Sequence, residues 1–124
     1  MLTHDKPITF VCTTRPEAAK RFYQETLGLQ LVSDDEFAIV FDLAGTMLRV
    51  SKARELVPQP HTVLGWKVTS IVRTMTELAK RDVRFERYEG LPQDAQGVWT
   101  APGSSAKIAW FKDPDGNTLS LTEC

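Results

Sequence analysis

This 124-residue chain has no run long and apolar enough to span a bilayer, and only two cysteines and two histidines. Two cysteines do not make a disulfide framework. Cys12 falls in a predicted strand and Cys124 is the last residue of the sequence, so both are expected as free thiols, Cys12 buried and inert. That usage fits a reducing cytoplasm. Charge of one sign is also missing: 15 basic and 16 acidic residues are scattered to a net charge of -1, leaving no basic stripe for nucleic acid and no polyanionic tail. Met1 to Lys6 is polar and carries no apolar signal core, so a cytoplasmic protein with no nucleic-acid or membrane partner is expected. There is no Ser-His-Asp arrangement, no glycine-rich phosphate loop and no low-complexity segment. Without staples, the 42% hydrophobic fraction has to supply the core, and at this length it can.

What is present is concentrated at the end of the chain. Lys107 to Lys112 is a run of β-formers entering Asp113-Pro114-Asp115-Gly116, a turn composition with glycine available for a positive φ. Alternation resumes with Leu119 and Leu121 on one side and Thr118, Ser120 and Thr122 on the other. The same layout occurs earlier, where Phe37 to Leu43 precede Ala44-Gly45 and Met47 to Ser51 follow. Setting Gly45 on Gly116 places Leu48 on Leu119, Val50 on Leu121 and Arg49 on Ser120, so the chain reads as two copies of one unit.

Upstream of each hairpin the pattern is also shared. Ile8 to Thr13 reads as a strand, with Thr14 as N-cap of a helix carrying an early Pro16, Glu17 completing a capping box, and Gly28 as its end. Leu29 to Ser33 is a further strand. Lys52 to Thr62, with Pro58 and Pro60, is a linker. Val63 to Val68 then restarts the pattern, Thr69 or Ser70 caps a helix with Ile71, Met75, Leu78 and Ala79 on its apolar face, and Arg84 to Tyr88 is a strand. The loop-rich stretch from Glu89 to Ser105 holds a short strand around Val98 to Thr100. The fold class is α+β: one domain over 1–124, with module one at about 7–51, a linker at 52–62 and module two at about 63–123.

Tandem β-α-β-β-β units with Glu17-Ala18-Ala19-Lys20-Arg21-Phe22-Tyr23, Thr26-Leu27-Gly28-Leu29 and the Asp113 to Asn117 hairpin resemble the vicinal oxygen chelate superfamily of glyoxalases, bleomycin resistance proteins and extradiol dioxygenases. The resemblance covers about Pro7 to Glu123. Asp82 departs from it, where members often have glycine at the end of the second helix; Asp tolerates turn geometry. The resemblance implies a half-open mixed β-sheet barrel with helices on its outer face, and a homodimer. It also implies a metal bound by His or Gln in the first strand of a unit and Glu in its last strand. Those positions fall on Ile8, Val63, Arg49 and Ser120, which offer no ligand set of imidazole, amide or carboxylate. His61 and His4 share the parity of Val63 and Ile8, but using them requires independent slips in both units, and they read as surface residues. No metal and no cofactor are therefore expected.

With the ligand positions as markers, the concave face carries Ile8, Phe10 and Cys12; Met47, Arg49 and Ser51; Val63, Gly65 and Lys67; and Thr118, Ser120 and Thr122. The expected ligand-binding residues are Ile8, Phe10, Arg49, Val63, Lys67, Trp110 and Ser120, an apolar floor with hydroxyls and two cations. Arg49 suits a carboxylate or phosphate, and Trp99, Trp110 and Tyr88 a flat ligand. Catalytic residues cannot be named. The expected function is metal-free binding of a small, anionic or planar organic molecule; the alternative is a metal-dependent glyoxalase-like lyase or extradiol-type dioxygenase.

Overall fold

Alternation of exposed Ile8, Phe10 and Cys12 with buried Val11 and Thr13 makes β1 (Ile8–Thr13) a strand with one covered face. The computed structural model describes all 124 residues, in two compact units, Met1–Val57 and Pro58–Cys124. In the first, β1 leads into α1 (Pro16–Arg21), whose N-cap is Arg15 rather than Thr14. The reason is Pro16: a residue before proline is kept out of helical geometry, and Arg15 sits at φ -128° and ψ 70°. The Thr13 hydroxyl accepts the Arg15 N–H at 3.0 Å. The predicted single helix also changes gauge, widening into a π-helical turn over Phe22–Thr26 in which the Leu27 N–H reaches the Phe22 carbonyl at 2.9 Å. Ala19 and Tyr23 are fully buried, and the Tyr23 ring lies 5.9 Å from that of Phe41.

Three strands complete this unit, β2 (Gln30–Asp34), β3 (Ala38–Leu43) and β4 (Thr46–Lys52), in the order β1-β4-β3-β2. β1 runs parallel to β4 and the other pairings are antiparallel. One face of the sheet buries Val11, Ile39, Phe41, Leu48 and Val50. Full burial of each such side chain contributes about 1.5–3 kcal/mol. Asp34 ties the margin together, taking Lys52 Nζ at 2.9 Å and Lys20 Nζ at 3.1 Å.

The second unit repeats the order as β5-β8-β7-β6, from β5 (Thr62–Lys67), α2 (Ile71–Ala79), β6 (Trp99–Thr100), β7 (Lys107–Lys112) and β8 (Thr118–Glu123). Again the first and last strands are parallel. Ser70 caps α2, accepting the Arg73 N–H, and the Glu123 carboxylate accepts that of Ile71 at 2.9 Å. Ile71, Met75 and Leu78 are buried, but Ala79 is exposed: eight positions on from Ile71 it has turned about 80° off the buried face. No helix is long and apolar enough to cross a membrane.

Arg84 to Tyr88 does not form the predicted strand. Only Phe85 bridges β7, at Phe111, and the Glu86 N–H reaches the Trp110 carbonyl at 2.8 Å. A side chain takes the place of a neighbouring strand. The Gln93 amide donates to the Glu86 and Gly97 carbonyls at 3.0 and 2.7 Å, and its oxygen accepts the Tyr88 N–H at 2.7 Å. The turn between β7 and β8 is built as its composition requires: buried Asp113 accepts the N–H groups of Asp115 and Asn117 at 3.0 and 2.9 Å, and Gly116 takes φ +86°. Asp82 adopts φ +65°, the left-handed geometry expected to be tolerable there. Two mixed four-stranded sheets, neither closed, and two helices make the α+β fold.

Candidate functional site

Pairing across the first sheet decides which side chains share its uncovered face. Ile8 pairs with Met47, Phe10 with Arg49 and Cys12 with Ser51, and across the next ladder Val40 opposes Arg49 and Asp42 opposes Met47. Ile8 is 49% and Phe10 59% exposed, so large apolar groups stand in the open around one guanidinium. Cys12 belongs to this face and is exposed, not buried: the helix packs against the opposite parity, where Val11 and Thr13 point. A depression of about 410 Å³ indents the face at Ile8, Val32, Val40 and Met47, with Lys6 and Asp42 as its charged members.

Arg49 is half-buried and forms no salt bridge. Its charge is felt at Asp35, whose carboxyl is held below the ordinary carboxylate value chiefly by the N–H groups of Phe37 and Ala38 at 2.7 and 3.0 Å, with smaller help from Arg49 and Lys52. Asp34 is likewise held low, by its hydrogen bonds from Lys52 and then Lys20.

The second sheet has an equivalent face. Gly65 pairs with Ser120 and Ser120 with Trp110, forming one row across three strands. Lys67, Thr122 and Ile108 form the row on one side of it; Thr62, Thr118 and Lys112 form the row on the other. Val63 falls out of the expected register, because β5 bulges between Thr62 and Leu64 and Thr62 takes the place opposite Thr118. Val63 itself is 38% exposed. Tyr88 meets Trp110 edge-on at 5.5 Å, and Trp99 lies 6.2 Å from Trp110. Burial, then the charge of Glu86, pushes the Tyr88 phenol up from its ordinary pKa, so it stays protonated and neutral.

Of the expected ligand-binding residues, Ile8, Phe10 and Arg49 thus share the face of the first sheet, and Lys67, Trp110 and Ser120 that of the second. Sequence reasoning placed Met47 on this face without counting it among the binding residues, and it missed Val40 beside Arg49 and also Lys112, whose Nζ donates to the Thr118 hydroxyl at 2.6 Å. Parity from Trp110 was the available signal for Lys112. The donor chemistry does not suit a divalent metal: Ile8 and Val63 have no lone pair to offer, Arg49 is a cation, and no three His, Cys, Asp or Glu side chains converge anywhere. His4 and His61 are both exposed.

Several solved structures share the fold. A member of the Glyoxalase/bleomycin resistance protein/dioxygenase superfamily from Sphaerobacter thermophilus superposes with a TM-score of 0.75 at 19% identity, covering 100% of each chain. A glyoxalase family protein from Enterococcus faecalis gives 0.73 at 20% identity, over 99% of this chain and 100% of that one. Lactoylglutathione lyase from Agrobacterium tumefaciens gives 0.73 at 15% identity, over 98% and 95%. At such identities the likeness is one of fold. Among curated proteins none matches the chain. The family model for the Glyoxalase/Bleomycin resistance protein/Dioxygenase superfamily matches residues 7–121, nearly the whole length. With its repeated sheets and this match, the chain belongs to the Glyoxalase/Bleomycin resistance protein/Dioxygenase superfamily.

Proposed function

We propose that this protein binds a small organic anion without the metal on which its catalytic relatives depend. The observation that carries this is Arg49, half-buried, free of any carboxylate salt bridge, and set among exposed Ile8, Phe10 and Met47. Asp35 feels its charge only from beyond salt-bridge distance, whereas a bound carboxylate or phosphate would offer the guanidinium two parallel hydrogen bonds. The apolar groups around it suit the hydrocarbon part of such a ligand. Binding without turnover, as in sequestration, needs nothing more. A glyoxalase-like lyase or extradiol-type dioxygenase needs three nitrogen or oxygen ligands on one ion; that no three His, Cys, Asp or Glu side chains group together in this chain supports the metal-free reading.

A homodimer is proposed as the working form, because exposed Ile8, Phe10 and Met47 stand together on one sheet face and offer an apolar contact surface to a second copy. Cys12 and Cys124, neither in a disulfide, suit a cytoplasmic setting. Calorimetric titration with small carboxylates tests the role of Arg49. Arg49→Ala should weaken binding about tenfold or more with little change in stability, and unchanged affinity removes the assigned role. Elemental analysis after incubation with Zn, Ni, Mn and Fe salts tests the metal independence. One tightly held equivalent per chain would return the function to the metal-dependent class.

A further inference from the structure

The face of the second sheet that carries Lys67 and Trp110 has a charge composition unlike that of the first. Its three rows hold two lysines, Lys67 and Lys112, the hydroxyls of Thr62 and Thr122, the buried hydroxyls of Thr118 and Ser120, and no carboxylate. Neither lysine forms a salt bridge. The strand's only acid, Glu123, has the opposite parity and is engaged at the start of α2. Between the lysine rows runs Gly65–Ser120–Trp110, in which a buried serine and then a glycine, both small, follow the indole across the ladder. Gly65 is exposed, with only the Ser120 hydroxyl and the Thr62 methyl close to where a side chain would stand.

Tyr88 and Trp99 hold the indole from the sides at 5.5 and 6.2 Å, and both come from the segment that Gln93 pins. An aromatic group fixed in this way stacks a flat ligand at low entropic cost. We infer that the row Gly65–Ser120–Trp110 is a shelf for a planar aromatic anion, its ring against Trp110 and its charge balanced by Lys112 or Lys67, which rests on the small-molecule function proposed above. Lys112 lies two residues beyond Trp110, about 7 Å along the strand, within reach of a carboxylate or phosphate on a fused ring.

The test is equilibrium titration of the full chain with 2-naphthoate and with cyclohexanecarboxylate, which has the same charge but no flat ring. The shelf predicts about tenfold tighter binding of 2-naphthoate, with quenching of tryptophan emission. Trp110→Leu should erase that advantage and Trp110→Phe should keep part of it. The double variant Lys67→Met/Lys112→Met, which leaves the aromatic cluster in place, should weaken 2-naphthoate several-fold. Equal affinity for the two carboxylates, or a naphthoate affinity untouched by the lysine variant, overturns the shelf. If cyclohexanecarboxylate binds through Arg49 while 2-naphthoate binds no tighter, anion binding stands and the shelf falls. If neither binds, both fall.

Discussion

Gly65 and Ser120 approach so closely across the parallel β5–β8 ladder that a Cβ on Gly65 would lie 2.8 Å from the Ser120 Oγ and 3.3 Å from its carbonyl oxygen. The glycine is therefore required by its neighbour, not by a turn. Gly65→Ala should destabilise the protein by about 1–3 kcal/mol, the usual range for overpacking, read as a lower urea midpoint. Adding Ser120→Ala removes the hydroxyl but not the carbonyl, so it should restore part of the loss. Full stability in Gly65→Ala alone would contradict the packing described here.

Gln93 is the second such dependence. Its side-chain amide satisfies three backbone groups that a strand would otherwise have to pair. Gln93→Leu keeps the bulk and leaves those groups to water, at a cost of about 2–3 kcal/mol. Because the same segment carries Tyr88 and Trp99 to Trp110, tryptophan emission should shift as well. A variant that is destabilised with an unchanged spectrum would separate the loop from the aromatic cluster.

Ala44 sits at φ +48° beside Gly45 in the β3–β4 turn, a region where an alanine is strained. Asparagine tolerates it better and is favoured in two-residue hairpins. Ala44→Asn is expected to stabilise the fold by about 0.5–1 kcal/mol, with a raised thermal midpoint as the readout.

Acid should unfold this protein through identifiable carboxylates. Asp34, Asp35 and Asp94 all have folded pKa values lowered by the hydrogen bonds they accept: lysine ammonium groups at Asp34, backbone N–H groups at Asp35, and at Asp94 the Val98 N–H first. An unfolded aspartate takes its proton near pH 3.9, before these folded ones do. Stability is therefore complete above that value and declines as the pH falls through the lowered folded values. Urea midpoints measured between pH 7 and pH 2.5 should show the decline. Asp94→Asn should reduce its slope by removing one of the groups responsible.

Much of this was legible without coordinates because the signals are local. Alternation in Ile8–Thr13 and Thr118–Glu123, the Asp113 to Gly116 turn and a cap at Thr69 or Ser70 each depend on residues a few positions apart, the internal repeat needs only the comparison of two such local patterns, and period-2 parity placed Val11, Leu48, Val50, Leu119 and Leu121 in the core. The exceptions are contacts between distant segments. Whether Arg84 to Tyr88 pairs as a strand depended on Gln93, whose amide outcompetes a ladder. Val63 lost its place because β5 bulges against β8, and Cys12 is exposed because the helix covers the other side of its strand. Local patterning determined most of the elements and their order, and the motifs along the chain carried the resemblance to the family. Only the tertiary structure decided which cations stand without carboxylates and which aromatic rings meet, because those outcomes depend on ladder register and on side chains that the chain brings together from far apart.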